Sequence, residues 1–158
     1  MNSLLEHEFP LGEAQAMRYD VLNMLTDGEL AYRLPGDNVT LGELCREMGE
    51  VERAYIQSFR TLRYTPSQQS GEPGRTDSVE GLAAWYRDLD EEFEAVVKGL
   101  SDDDLHLRRV DRGDGFSPSL HVQFQCFHEA VLMFYAKASI YLKALQKPLS
   151  EKWRTGVG

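Results

Sequence analysis

The chain has 158 residues, 42% of them hydrophobic and 27% charged, with a formal net charge of −9 at pH 7, which is typical of one globular domain spanning residues 1–158. The acidic balance argues against binding to nucleic acid or to anionic membranes, since both need a basic surface. No apolar run reaches the ~18 to 20 residues of a membrane span and the start lacks a basic signal region, so we expect a cytoplasmic protein.

The first predicted helix covers residues about 11–26. Its apolar residues recur at helical spacing, and they are Ala14, Met17, Val21, Leu22 and Leu25. Glu13, Arg18 and Asp20 are expected on the polar face. The helix is followed by the hook ELAYRLPGDNV, which contains one short apolar turn before Pro35 and Gly36.

The second predicted helix covers residues about 40–63. Thr40 and Glu43 form a capping-box pattern at its start. A long apolar stripe follows, formed by Leu41, Leu44, Met48, Val51, Tyr55, Phe59 and Leu62. Gly49 costs about 1 kcal/mol relative to alanine inside a helix, and it marks either a close helix contact or a tolerated surface position.

The segment from Tyr64 to Thr76 has no helical or strand periodicity. Its thirteen residues reach at most ~43 Å at ~3.3 Å each, which is enough to run back along a helix of ~33 Å. A loop of this length in a small domain is usually functional or a crossover. We therefore predict a crossover that makes the second and third helices parallel.

The third and fourth predicted helices cover residues about 78–100 and 118–146. Asp77 with Glu80 repeats the capping pattern for the third helix, and Ser117 with Pro118 forms the start signal of the fourth. The fourth helix carries an apolar stripe that must be covered by other helices, formed by Leu120, Phe124, Phe127, Val131, Phe134, Ala138, Tyr141 and Leu145.

The two hooks have the same spacing, in LTDGEL from Leu25 and LSDDDL from Leu100. Two copies of a helix, hook and helix joined by a crossover predict an all-α four-helix bundle with approximate internal two-fold symmetry.

Residues 147–158 form a tail in which Trp153 is expected to pack on the bundle. We assign no chemistry to Cys45 and Cys126, which are expected to be ordinary thiols.

This order of elements resembles the DinB/YfiT-like superfamily, as do TLGELCREMGEVERAYIQSF in the second helix and FHEAVLMFYAKASIYLKALQKP in the fourth. The resemblance implies a four-helix bundle with a long crossover. It also implies a homodimer, and an activity related to thiol-dependent transferases or isomerases. Many members of that superfamily bind a divalent metal through one histidine on the second helix and two on the fourth.

The histidines of that motif are missing here. The position that matches the second-helix histidine is Glu47. The two fourth-helix histidines correspond to Ala130 and Phe134, or to Glu129 and Met133 if the alignment is shifted by one residue. An alanine or phenylalanine side chain supplies no N, S or O donor to a metal. We therefore expect a divergent member without a metal or other cofactor.

Three functions remain open from the sequence, and one of them is a purely structural interaction module, which predicts no cavity and an exposed apolar patch. The first is a metal-free small-ligand-binding or interaction protein, with Glu47, His128 and Tyr135 as the ligand-binding residues. The alternative is a thiol-dependent transferase or isomerase in which the same three side chains converge on one cavity as acid, base or thiol-orienting groups. The catalytic residues, the substrate and the dimer interface are not identified by the sequence.

Overall fold

The computed structural model describes residues 2–7, 13–66 and 74–156. These ranges contain helices and three isolated bridges but no strand, in agreement with the predicted all-α class. The helices are α1 (Ser3–His7), α2 (Glu13–Asn23), a 3₁₀ helix (Asp27–Ala31), α3 (Leu41–Thr61), α4 (Val79–Lys98), α5 (Asp102–Leu107), α6 (Leu120–Ala144) and α7 (Glu151–Gly156).

Four of these helices form the bundle. α3 packs against α4 and α6, and α2 packs against the same two helices, so α2 and α3 lie on one diagonal of the bundle. α3 and α6 are antiparallel, because Tyr141 near the end of α6 donates to the carbonyl of Val39 before α3 at 2.6 Å. At the other end, Gln123 Nε2 donates to Ser58 Oγ at 2.9 Å.

The second and third helices of the bundle, α3 and α4, run parallel, as predicted. Arg46 near the start of α3 donates to Thr76 Oγ1 just before α4 at 3.0 Å. Near the ends of the two helices, the rings of Phe59 and Phe93 lie 5.1 Å apart. The crossover therefore returns the chain to the starting end of the bundle, although its residues 67–73 are outside the described ranges.

The helix starts follow the predicted chemistry with two corrections. Thr40 and Glu43 form the capping box of α3, but the cap of α4 is Ser78 instead of Asp77. The cap of α6 is Ser119, two residues later than the predicted Ser117. The later start of α6 is caused by a tertiary contact. The Pro118 carbonyl accepts from the Val110 N–H at 2.9 Å, so the chain stays extended up to Ser119. The predicted first two residues of the first helix, 11 and 12, lie outside the described ranges.

The two hooks fold alike. The first forms the 3₁₀ helix and the second forms α5, and each begins with a capping box. An isolated antiparallel bridge follows each hook and ends on the cap of the next long helix, pairing Arg33 with Thr40 and Arg109 with Ser119. This correspondence supports the internal repeat that the spacing predicts.

The core resolves the open question about Gly49. This residue is buried, and a Cβ at that position would collide with the indole of Trp85, so Gly49 marks a close contact between α3 and α4.

Trp153 in α7 is buried with its ring edge-on to Tyr135, as expected of the tail. Within the described residues, every helix is too short or too polar to cross a lipid bilayer.

Candidate functional site

The three residues predicted to bind a ligand lie in different environments. Glu47 is exposed on α3, His128 is half-buried on α6, and Tyr135 is buried. The Tyr135 hydroxyl donates to the carbonyl of Ala14 on α2. Among the described residues, no hydrogen bond or ion pair joins any two of these three predicted side chains. Their joint role in a site stays a prediction.

The positions that correspond to the metal ligands of the resembling superfamily do not fit a metal ion. Phe134 is a buried core residue, and its ring lies 5.5 Å from that of Tyr135. In the register with Ala130 and Phe134, Glu47 is the one position with a donor atom, since alanine and phenylalanine side chains have no lone pairs to offer. In the shifted register, Glu129 and Met133 have donor atoms, but both are exposed on α6. In the ranges that the structure describes, no group of three or more His, Cys, Asp or Glu side chains is arranged to hold a metal.

A buried ionic cluster occupies the centre of the bundle. The guanidinium of Arg18 on α2 donates to Glu52 on α3 and to Asp90 on α4. The side chains of Arg18 and Glu52 are fully buried. The expectation that Arg18 lies on a polar face is therefore wrong, because this charge points into the core, where two carboxyl groups meet it. We call Arg18, Glu52 and Asp90 the polar centre.

The two carboxyl groups of the polar centre have unequal surroundings. Asp90 Oδ1 also accepts from Gln15 Nε2 at 2.6 Å, and its Oδ2 accepts from the Tyr19 hydroxyl at 2.6 Å. Its side chain keeps 25% of its surface exposed. Glu52 receives a hydrogen bond only at Oε2, and its buried Oε1 has no partner among the described residues.

The ring of one tyrosine, Tyr86, covers the Arg18 guanidinium. Arg18 Cζ lies 4.9 Å from the centroid of the Tyr86 ring, a distance suited to a cation–π contact. The Tyr86 hydroxyl donates to the Cys45 carbonyl at 2.6 Å. Burial raises the pKa of the Cys45 thiol to about 12, so this cysteine is a packed, protonated side chain, in agreement with the sequence.

A second polar cluster ties the loop before α6 to the bundle. Arg112 stacks on the Tyr64 ring, with Cζ 4.2 Å from the centroid, and donates to Gln123 Oε1 at 2.9 Å. Burial raises the pKa of Cys126, and Arg112 opposes this shift by lowering it. Gln123 in turn donates to Ser58 on α3, so these bonds join the loop, α6 and α3 to one another, which indicates a structural role.

The outer face of α6 is unusually apolar for a solvent-facing helix surface. Four large apolar side chains on it are exposed, namely Val122, Leu132, Met133 and Ile140. Scattered exposed apolar residues are normal, but several on one helix face indicate an interaction surface. We call Glu129, Leu132, Ala136, Ile140 and Lys143, all of which are exposed, the outer stripe.

A shallow groove lies at the end of α3. It has a volume of about 490 Å³ and is lined by Gln57, Thr61, Arg63 and Thr65. Small-molecule sites are usually lined mainly by apolar and aromatic groups. Because the lining side chains are all polar and exposed, we assign no ligand to this groove.

The sequence contained a signal for the polar centre. Each of its three charged residues lies four positions after one apolar or aromatic residue and three positions before another. The flanking residues are Ala14 and Val21 for Arg18, Met48 and Tyr55 for Glu52, and Tyr86 and Phe93 for Asp90. Each charge therefore occupies a core position of its helix. Three charges at core positions, one basic and two acidic, indicate a buried network.

Comparison with known proteins gives the fold. No family model matches the sequence, and no curated protein matches it. The structure is similar to the crystal structure of a DinB-like protein, YjoA, from Bacillus subtilis, with a TM-score of 0.69 and 13% sequence identity. The match covers 86% of this chain and 89% of that one. The chain therefore has the DinB-like fold, as the sequence resemblance predicted.

Proposed function

We propose that this protein is a metal-free binding or interaction protein that associates with a second copy of itself through the outer stripe of α6. The observation that carries the proposal is the apolar character of this exposed face. The absence of donor atoms at Ala130 and Phe134 supports the metal-free part, because a metal site of the superfamily type needs ligands there.

The outer stripe has a spacing that suits a two-fold partner. Leu132 and Ile140 lie four residues on either side of Ala136, and Glu129 and Lys143 lie seven residues on either side. Spacings of three and four residues keep all five positions on one helix face. The stripe therefore has the same spacing when read in either direction from Ala136.

A second copy packed antiparallel across Ala136 would pair complementary groups. A two-fold interface uses the same surface on both partners, so each contact occurs twice. Leu132 would face Ile140 of the second copy, and Glu129 would face its Lys143, while the small Ala136 side chains let the two helices approach. Apolar groups meet apolar groups and opposite charges meet, which is the complementarity expected of a self-association surface.

The first prediction concerns this association. The unaltered protein should be a dimer at micromolar concentration by size-exclusion chromatography with light scattering. Ile140→Glu should be a folded monomer, because it places two uncompensated carboxylates in the interface. Leu107→Glu is the matched control, since Leu107 is 72% exposed and lies on α5, and it should stay dimeric.

Cross-linking tests the two-fold axis directly. An Ala136→Cys variant should form an intermolecular disulfide under mild oxidation, since the two residues 136 would meet on the axis. Arg87→Cys, at an exposed position of α4, should not cross-link. A monomeric unaltered protein, or equal cross-linking of the two variants, would overturn the proposed association.

The second prediction concerns metal. Protein purified without a chelator or an affinity tag should contain no stoichiometric metal by elemental analysis. Its melting temperature should not rise with Ni, Zn, Mn or Fe(II), and Glu47→Ala and His128→Ala should not change its metal content. Near-stoichiometric metal that Glu47→Ala removes would overturn the metal-free part and leave the association unaffected.

The alternative, a thiol-dependent transferase or isomerase, needs Glu47, His128 and Tyr135 around one cavity. The Tyr135 hydroxyl bonds to the Ala14 carbonyl on α2, and no hydrogen bond or ion pair in the described ranges connects Tyr135 to Glu47 or His128. The exposed apolar side chains on the outer face of α6 are a positive feature that favours an interaction protein, so the interaction function is the one we propose.

A further inference from the structure

The polar centre contains one cation and two carboxyl groups. Arg18 always carries its charge in proteins, so the cluster is neutral only if one of the two carboxyl groups is protonated. An uncompensated charge in a core is very unfavourable, and a buried group commonly changes its protonation state instead. The surroundings of Asp90 and Glu52 decide which carboxyl group holds the proton.

Asp90 has the surroundings of a carboxylate. It accepts from three donors, on Arg18, Gln15 and Tyr19, and it is also in part open to solvent. Hydrogen bonds to the ionised form and access to water both favour the charge. Glu52 has a single donor, no exposed surface and one oxygen without a partner in the described structure, so the negative charge is placed more favourably on Asp90.

We propose that the Glu52 carboxyl group is a proton-binding site, which is protonated in the folded bundle near neutral pH and releases its proton as the pH rises. The protonated form leaves Arg18 and Asp90 as a neutral pair. The ionised form adds a second, uncompensated negative charge between α2, α3 and α4. The packing of α2 against the rest of the bundle is thereby made sensitive to pH.

The other titratable groups around Glu52 do not take this role. α2 contributes Arg18 and Tyr19, α4 contributes Asp90 and Tyr86, and α6 contributes Tyr135. Burial raises the pKa of the three tyrosine hydroxyls above the usual range, so they stay neutral. Burial also raises the pKa of Glu52 to about 8, although Arg18 acts to lower it.

The direction of the pH effect follows from proton binding. A glutamate in the unfolded chain ionises near pH ~4.3, whereas the folded bundle keeps the Glu52 proton to higher pH. The folded state therefore binds one more proton, and the folding equilibrium constant falls about tenfold per pH unit from about pH 5.5 until the folded group has ionised. Above that point the effect levels off.

The test compares the unaltered protein with Glu52→Gln, which replaces the proton site with a neutral amide of similar shape. Urea denaturation from about pH 5.5 to about pH 9 should show the fall in stability for the unaltered protein and no such fall for Glu52→Gln. Glu91→Gln, at an exposed position of α4, should keep the fall. An equal pH dependence in the unaltered protein and in Glu52→Gln would overturn the proposal.

Infrared spectroscopy gives a second measurement that does not depend on a variant. The unaltered protein should show the C=O stretch of one protonated carboxylic acid near neutral pH, and this band should disappear at alkaline pH. If Glu52→Gln folds, it should lack the band. The absence of the band from the unaltered protein near neutral pH would show that Glu52 is ionised and would overturn the proposal even if Glu52→Gln did not fold.

Discussion

Replacing Arg18 with methionine should lower the free energy of unfolding by about 3 to 5 kcal/mol, the cost of breaking a buried ionic cluster by removing one member. Methionine fills a similar volume but leaves the Asp90 carboxylate without its cation and the buried Glu52 without a donor. The cation–π contact with Tyr86 is lost as well. Urea denaturation followed by circular dichroism measures the change.

The control for Arg18→Met is Arg87→Met, since Arg87 is exposed on α4 and should change stability by no more than about 0.5 kcal/mol. The double variant Arg18→Met with Glu52→Leu should lose less than the sum of the two single changes, because the partners share one network. If Arg18→Met cost no more than Arg87→Met, the polar centre would contribute nothing to stability.

Replacing Phe93 with alanine should lower the free energy of unfolding by about 3 to 5 kcal/mol. Phe93 is fully buried on α4, and its ring lies 5.1 Å from Phe59 on α3 and 5.1 Å from Phe127 on α6. The substitution removes one ring from contacts with two neighbouring helices. A cavity remains, because well-packed helices collapse into such a space only in part.

The same substitution at Phe116 provides the comparison for Phe93. Phe116 lies in the loop before α6 and is exposed, so Phe116→Ala should leave the denaturation midpoint nearly unchanged. Phe93→Ala should also retain a cooperative transition, shifted to lower urea. Equal midpoints for the two variants would mean that Phe93 is not part of the tightly packed core.

The parts of this protein that depend on local chemistry could be predicted from the sequence. Apolar residues at spacings of three and four identify the long helices, and Thr40 with Glu43 marks the start of α3 because a cap bonds to groups only three residues away. The crossover is long enough for the chain to run back along a whole helix, and this length predicted the parallel arrangement of α3 and α4. The resemblance of the two hooks then predicted the bundle.

The candidate sites depend on groups that are distant in the chain. Arg18 was assigned to a polar face because of its charge, although its spacing from Ala14 and Val21 is that of a core position. Its own helix does not show that carboxyl groups of α3 and α4 will meet it there. The role of Gly49 depends on Trp85, thirty-six residues later in the chain, and the late start of α6 depends on the bridge that Ser119 makes with Arg109. The exposure of Leu132 and Ile140 likewise depends on which helices cover α6.

The physical reason is that helical periodicity reports how residues are arranged around one helix axis. It does not report which neighbour lies opposite each face, and the energy of a buried charge is set by that neighbour. The fold class and the presence of the long helices therefore followed from the sequence alone, whereas the start of α6, the polar centre and the outer stripe were decided only when the four helices came together.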